Sequence, residues 1–231
     1  MKVKFSALLS LPALILTISN SAVAQTPNEV QIGTQIWMTK NLDVSKFRNG
    51  DPIPEAKTDE EWKKAGENKQ PAWCYYENDP ANGAKYGKLY NWYAVDDARG
   101  LAPVGWKIPT NTEWDQLTDA LGGEALAGGK LKSKEGWLEN GNGTDNVGFN
   151  GLPCGRRAAN SFIDRGYYGF WWSSSFSDKK SPLFGDELKF AFYRFLNFSG
   201  DKIWEEYKLM DYGHSVRCIK ILIVQDSREE D

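Results

Sequence analysis

The segment GWKIPTNTEWDQL, residues 105–117, constrains the fold more than any other stretch of this chain. It reads as a strand that stops at Pro109 and restarts at once as a helix. Thr110 and Glu113 have capping-box spacing: the Thr110 hydroxyl accepts from the Glu113 N–H, and the Glu113 carboxylate accepts from the Thr110 N–H. Such a cap is worth about 1 kcal/mol. Pro109 and Trp114 then take the two positions of a hydrophobic staple. Trp114, Leu117 and Leu121 follow at helical spacing, and Gly122-Gly123 ends the helix. Thr110, Glu113 and Trp114 are therefore structural residues on this reading, with Glu113 a cap rather than an acid catalyst. The same spacing occurs in TDEEWKKAG, where Thr58 and Glu61 start a short helix, Trp62 follows and Gly66 is read as its stop. The two elements are local look-alikes and define no repeat of fixed period.

Around these helices the pattern is mixed. Residues 29–42, EVQIGTQIWMTKNL, predict one or two short strands punctuated by Gly33, and NGDPIPEAK is a turn-rich loop. Residues 86–98, YGKLYNWYAVDDA, place Leu89, Trp92, Tyr93 and Asp96 on one face and predict a buried amphipathic helix. From Lys134 onward helical signals end. NGNGTDNVGFNG is loop, GYYGFWWSSS a strand with a polar end, and DELKFAFYRFLNF and KIWEEYKLM a hairpin turning at Ser199-Gly200-Asp201. GHSVRCIKILIV predicts a strand with Val216 and Cys218 on one face and Ser215, Arg217 and Ile219 on the other. Helices first and strands later predict an α+β domain, with helices beside an antiparallel sheet.

The first residues, MKVKFSALLSLPALILTISNSAVAQ, have a basic start, a short apolar run and an A-x-A site at residues 22–24. They predict a signal peptide over residues 1–24, a domain over residues 25–220 and a charged tail over residues 221–231. The expected product is exported: periplasmic, extracellular or at the cell surface, and not membrane-spanning. A net charge of −3 with no basic run argues against nucleic acid as a partner. Cys74, Cys154 and Cys218 are odd in number, so at most one internal pair can form.

In this order, IGTQIWMTKNLDV, YGKLYNWYA, GWKIPTNTEWDQL, GGKLKS, GFNGLPCGRR, GFWWSSS and GHSVRCIK make the chain resemble the Fibrobacter succinogenes major paralogous domain family from Val30 to Lys220. More distantly, GWKIPTNTEW is similar to a segment of formylglycine-generating-type domains. The resemblance implies a C-type-lectin-like fold: two helices beside a small antiparallel sheet, paired first and last strands, and a long loop-rich insertion. It implies an exported domain of unknown or binding role, with residues 167–212, by analogy, at the variable ligand-recognising region of some lectin-like relatives. It also leads one to expect a cysteine near Gly83 bridged to Cys74. Glycine stands there, so Cys74 is free or bridged to Cys154, which itself sits where a small residue is more usual.

The chemistry points to binding rather than catalysis. Formylglycine-generating enzymes hold copper with a closely spaced cysteine pair, and the related iron oxidases use a histidine cluster. This chain has His214 as its one histidine. Ser173, Ser174 and Ser175 have no G-x-S-x-G setting. The adjacent acids Asp96-Asp97 and Glu205-Glu206 point in different directions and read as solvated. Asn140, Asn142 and Asp145 read as a turn rather than a calcium loop. No catalytic residue, metal or cofactor is assigned. Aromatic residues crowd the last third: Tyr167, Tyr168, Trp171, Trp172, Tyr193, Trp204, Tyr207 and Tyr212. Flat rings suit sugar faces and protein hot spots. At least one of Trp171 and Trp172 belongs to the core, because neighbours on a strand face opposite ways. In KFAFYRFLNF neither face is cleanly polar, so that strand is expected to be covered on both sides. Tyr193, Asn197, Trp204 and Tyr207 flank the hairpin turn and are the expected ligand-binding residues, for a glycan or a surface protein. The alternatives are a formylglycine-generating-type oxidoreductase that has lost its metal residues, and a structural subunit of a surface assembly.

Overall fold

The computed structural model describes residues 29–179 and 189–222. The expected signal peptide and the end of the tail, DSREED, lie outside the described residues.

The N-terminal strands β1 (Glu29–Ile32) and β2 (Gln35–Met38) form an antiparallel hairpin in which Gly33 adopts a φ of +59°. Helix α1 (Asp59–Glu67) starts at the expected capping box, with both Thr58 and Glu61 bonds formed. It does not stop at Gly66. Asn68 caps its end, and Gly66 is small because a Cβ there would stand 2.8 Å from the Asp211 Cβ. Next come β3 (Trp73–Cys74), α2 (Pro80–Tyr86), β4 (Leu89–Tyr90) and α3 (Trp92–Val95).

The single helix expected over residues 86–98 is thus broken. Leu89 and Tyr90 pair with Cys74 and Trp73, and Tyr90 also exchanges backbone bonds with His214. Asn91 restarts the helix: its Oδ1 accepts from the N–H groups of Ala94 and Ala72, and its Nδ2 donates to the Gln70 carbonyl. Sheet pairing and a capping side chain outweigh the helical period here.

Strand β5 (Trp106–Lys107) leads into α4 (Asn111–Ala120), and α5 (Glu124–Leu131) follows after Gly122 and Gly123, both with φ above +90°. Beyond them lie β6 (Arg156–Arg157), β7 (Phe162–Ile163), β8 (Tyr168–Ser177), β9 (Phe190–Asn197), β10 (Ile203–Leu209) and β11 (Ile219–Lys220). The fold is α+β, with five α-helices among the described residues rather than two, all before Lys132. The sheets are antiparallel: β1-β2-β11-β5, β10-β9-β8, β3-β4 and β6-β7.

The continuous strand expected in GHSVRCIKILIV is also corrected. Among the described residues of this stretch only Ile219 and Lys220 form a strand, β11; residues 223–224 lie outside them. Before them the chain stitches one sheet to the next: Gly213 bridges to Arg157, His214 to Tyr90 and Ser215 to Trp171. Leu42 and Met38 donate to the carbonyls of Val216 and Cys218. Residues 213–219 are all buried, so side chains of both parities face protein.

The cysteines are corrected too. All three are buried free thiols, so no Cys74–Cys154 bridge exists. Burial pushes the Cys74 and Cys218 thiols up to about 12. At Gly83 a Cβ would stand 2.2 Å from the Tyr75 ring. The tyrosine takes the space in which the resemblance places a cysteine.

Two apolar cores flank the β10-β9-β8 sheet. One face sends Trp171, Leu196 and Ile203 into a core shared with Trp37, Trp114, Leu117, Leu131 and Phe149. The other sends Phe170, Trp172 and Tyr193 into a core shared with Tyr90, Trp92, Trp106 and Val216. Trp171 and Trp172 are thus both core residues, one on each side.

Candidate functional site

The structural trio behaves as its spacing dictates. The Thr110 hydroxyl accepts from the Glu113 N–H at 3.3 Å, and Glu113 Oε2 accepts from the Thr110 N–H at 2.9 Å. Glu113 Oε1 also pairs with Lys107 Nζ at 2.5 Å, so the carboxylate is fully occupied in joining β5 to α4. Trp114 is fully buried, 4.8 Å from Trp37 between ring centroids.

The register of β8, β9 and β10 sorts the ligand-binding candidates. Opposite pairs are Phe195 with Trp204, Tyr193 with Glu206, and Phe192 with Tyr207 on the hairpin. On the β8 side, Tyr168 pairs with Asn197, Phe170 with Phe195 and Trp172 with Tyr193. Since strand side chains alternate, Tyr193, Asn197 and Trp204 share one face with Tyr168, Phe170 and Phe195. Tyr207 lies on the opposite face, packed edge-on to Phe190 at 5.6 Å. The sheet therefore brings three of the four together and separates the fourth. Of these, Trp204 is 37% exposed, Tyr207 40%, Asn197 partly buried and Tyr193 only 6% exposed. Tyr193 is a correction: its ring is fixed between Phe170, Trp172 and His214, and burial pushes its hydroxyl up to about 12. Asn197 is engaged in the turn, where its Oδ1 accepts from the Ser199 N–H.

The shared face is a strip of rings running from surface to core. Trp204 stands parallel to Phe195, at 8° and 5.9 Å. Phe195 touches Tyr168, Phe170 and Tyr193, and Tyr193 stacks on His214 at 4.8 Å. Cations border the strip. Lys202 Nζ lies 3.9 Å from the Trp204 ring and pairs with Glu124 at 3.3 Å. The Arg156 guanidinium lies 4.6 Å from Phe170, with its Nε 2.9 Å from Asp164 Oδ2. Lys208 Nζ lies 4.8 Å from Tyr212. Burial, then the Arg156 and Lys208 charges, hold His214 well below the ordinary histidine range, so it is neutral.

Other chemistry-bearing residues are tied elsewhere. The Ser175 hydroxyl accepts from the Asn111 N–H, Ser173 Oγ accepts from the Ser175 N–H, and Ser174 Oγ donates to the Ile108 carbonyl. Neither ring nitrogen of His214 meets a hydroxyl. Glu205 turns to the other face and pairs with Arg194 at 2.5 Å, whereas Glu206 stays on the strip. Asn142 Oδ1 accepts from the Trp137 N–H and Asp145 Oδ1 from the Asn150 N–H, the geometry of turns.

A cleft of about 240 Å³ is lined by Arg217, Lys40, Asn41 and Lys85. Arg217 is fully buried and spends all five N–H groups: Nε and Nη2 on Asn41 Oδ1, Nη1 on the Met38 and Phe149 carbonyls, and Nη2 again on the Asn150 carbonyl. Burial lowers it to about 9. It clamps β2 to the last segment and has no donor left for a ligand.

Sequence reasoning missed Tyr168 and Phe195 as neighbours of Trp204, and missed Arg156 and Lys208 altogether. The alternation in KFAFYRFLNF already puts Phe195 with Tyr193. Nothing local in CGRRAAN announces that Arg156 lies beside β8.

A family model described as the Fibrobacter succinogenes major domain matches residues 30–220. No curated protein and no solved structure matches the chain.

Proposed function

The chain belongs to the Fibrobacter succinogenes major domain family, and from that premise we propose that it is an exported binding domain that grips a glycan on the aromatic strip of β8, β9 and β10. The observation that carries this reading is the part-exposed Trp204 ring, set parallel to Phe195 in line with Tyr168. Flat rings offer sugar faces a large contact area at low rotamer cost. The inner end of the strip is locked into the core through Phe170 and Tyr193, so little ordering is needed on binding. The basic, apolar and A-x-A pattern of residues 1–24 supports export. No described helix is long and apolar enough to cross a membrane.

The fold belongs, on our reading, with C-type-lectin-like domains. Support comes from the strand order β1-β2-β11-β5, which seats the N-terminal hairpin beside the last strand, and from the β5–α4 connection. Binding rather than turnover is favoured by the engagement of Glu113, Glu205 and the serine hydroxyls in structural bonds.

The test is a glycan and surface-protein binding screen with the chain and Trp204→Ala. Glycan binding that is insensitive to EDTA and drops tenfold or more in the variant is the expected result. Retention of only a surface protein, or turnover of a substrate, overturns it.

A further inference from the structure

We propose that the glycan is acidic, a sugar bearing a carboxylate or a sulfate, with its anion held by Lys208 and Arg156. This rests on the glycan reading above and adds the ligand's chemical class. Lys208 lies on the Trp204 face of β10, four residues along, which is roughly 13 Å at about 3.3 Å per residue. An oligosaccharide lying on Trp204 and Phe195 therefore reaches it. Lys208 is half-buried against Tyr212 and makes no ion pair with any carboxylate among the described residues. Glu206, Asp164 and Asp211 act on this ammonium from a distance and none is in contact with it, so its donors stay open to an oxyanion, which forms the stronger, charge-assisted kind of hydrogen bond.

Arg156 stands at the same ring, 5.8 Å from the Tyr212 centroid. Asp164 Oδ2 forms an ion pair with it at 2.9 Å from Nε without taking a hydrogen bond from that nitrogen, and the Tyr193 hydroxyl lies within its reach. A guanidinium has five N–H donors, so capacity for a second oxyanion remains. Both cations stand at the Tyr212 ring; burial and then the Arg156 charge lower the Lys208 ammonium, while Glu206, Asp164 and Asp211 raise it.

Further polar atoms around the cations are unmatched. Both ring nitrogens of His214 and Oδ1 of Asp211 are buried without a hydrogen-bond partner. Such orphans are rare and cost about 1–3 kcal/mol each; the one that can serve an anion is Arg156 Nε, a buried N–H with no hydrogen-bond acceptor. The acids near the cations are Asp164, paired with Arg156, Glu206, opposite Tyr193, and Asp211, whose pKa burial raises. Glu206 lies between Trp204 and Lys208 and offers a carboxylate to sugar hydroxyls. Lys202, the third cation, is already paired with Glu124. Lys208 is thus the uncommitted charge, and it sets the preference.

Calorimetric titration of the full chain with an oligogalacturonate, its carboxyl-reduced counterpart and a sulfated oligosaccharide tests this. The expected result is binding of one or both anionic probes, at least tenfold tighter than the neutral one and weakened by salt. Lys208→Gln should remove that preference, and Lys208→Arg should keep it. The two anionic arms separate a carboxylate from a sulfate. Equal binding of acidic and neutral probes, or an unaltered preference in Lys208→Gln, overturns the acidic assignment and leaves the glycan reading standing. Failure of every sugar to bind overturns both.

Discussion

On one face of the β8-β9-β10 sheet, Trp171, Arg194 and Leu196 are closed in by α4 and α5; on the other, Phe170, Phe195 and Trp204 climb from the core to the surface. The charged groups of the closed face are matched. Arg194 Nη2 meets Asp115 at 2.7 Å and Glu205 at 2.5 Å, while Nη1 donates to Asn111 Oδ1 at 3.1 Å. Its cation has two carboxylates. The other face has a half-buried lysine in contact with none, a part-exposed indole and, buried beneath them, an imidazole with no hydrogen-bond partner. The same strands supply both faces, so backbone geometry is not the cause. The lesson is that a cation held between carboxylates marks a surface used for holding the fold, and a cation in contact with none marks one suited to meeting something else.

The sharpest way to break this comparison is to damage each face in turn. Trp171→Ala should cost about 3–5 kcal/mol, the usual penalty for a fully buried tryptophan, in urea unfolding. Arg194→Met should cost about 2 kcal/mol, because Asp115 and Glu205 are open enough to rehydrate once the cation is gone.

A pH series sharpens the contrast. Folding depresses the His214 pKa, with Arg156 and Lys208 as the facing charges. The unfolded chain therefore binds the extra proton first. Stability should be full above the unfolded value of about 6.5 and fall as pH drops below it, by up to about 1.4 kcal/mol per unit. Buried Asp211 has the opposite sign, since its raised pKa favours the folded state as pH falls toward the carboxylate range. Thermal melts of the chain and His214→Phe between pH 7.5 and 5.5 isolate the histidine: the variant should lose the slope.

Thr110→Ala should cost about 1 kcal/mol and leave ligand binding untouched. The smallest stability effect belongs to Trp204→Ala, under about 1 kcal/mol, despite the largest loss of binding. A melting change as large as that of Trp171→Ala would put Trp204 in the core and erase the distinction between the faces.

Much of this was legible in the chain. The two capping boxes, the Gly122-Gly123 stop, the hairpin at Ser199-Gly200-Asp201 and the double-sided burial of β9 follow from local spacing, and the structure has them. The failures share a cause. Residues 86–98 carry a helical period, but Tyr90 is claimed by His214, a partner more than a hundred positions away. Residues 213–219 alternate like a strand, yet their pairing changes sheet every residue or two. For the site, alternation could put Tyr193 on the Trp204 face but could not show that Trp172 and His214 cover it. Arg156 and Lys208 meet at Tyr212 through tertiary packing alone.

The Arg217 clamp bears on the order in which the molecule can be completed. Its acceptors come from β2, the loop after it and residues 149–150, while the arginine itself arrives near the end of the polypeptide. Contacts of such wide sequence separation are slow to form, because most of the loop-closure entropy is lost before any reward arrives. An emerging chain would thus hold helices α1 and α4 early, while both hydrophobic interiors stay unsealed until the final strand inserts. A truncation before Gly213 should leave a species with helical signal and an exposed, dye-binding interior, and supplying the missing peptide in trans is a direct way to watch the seal close.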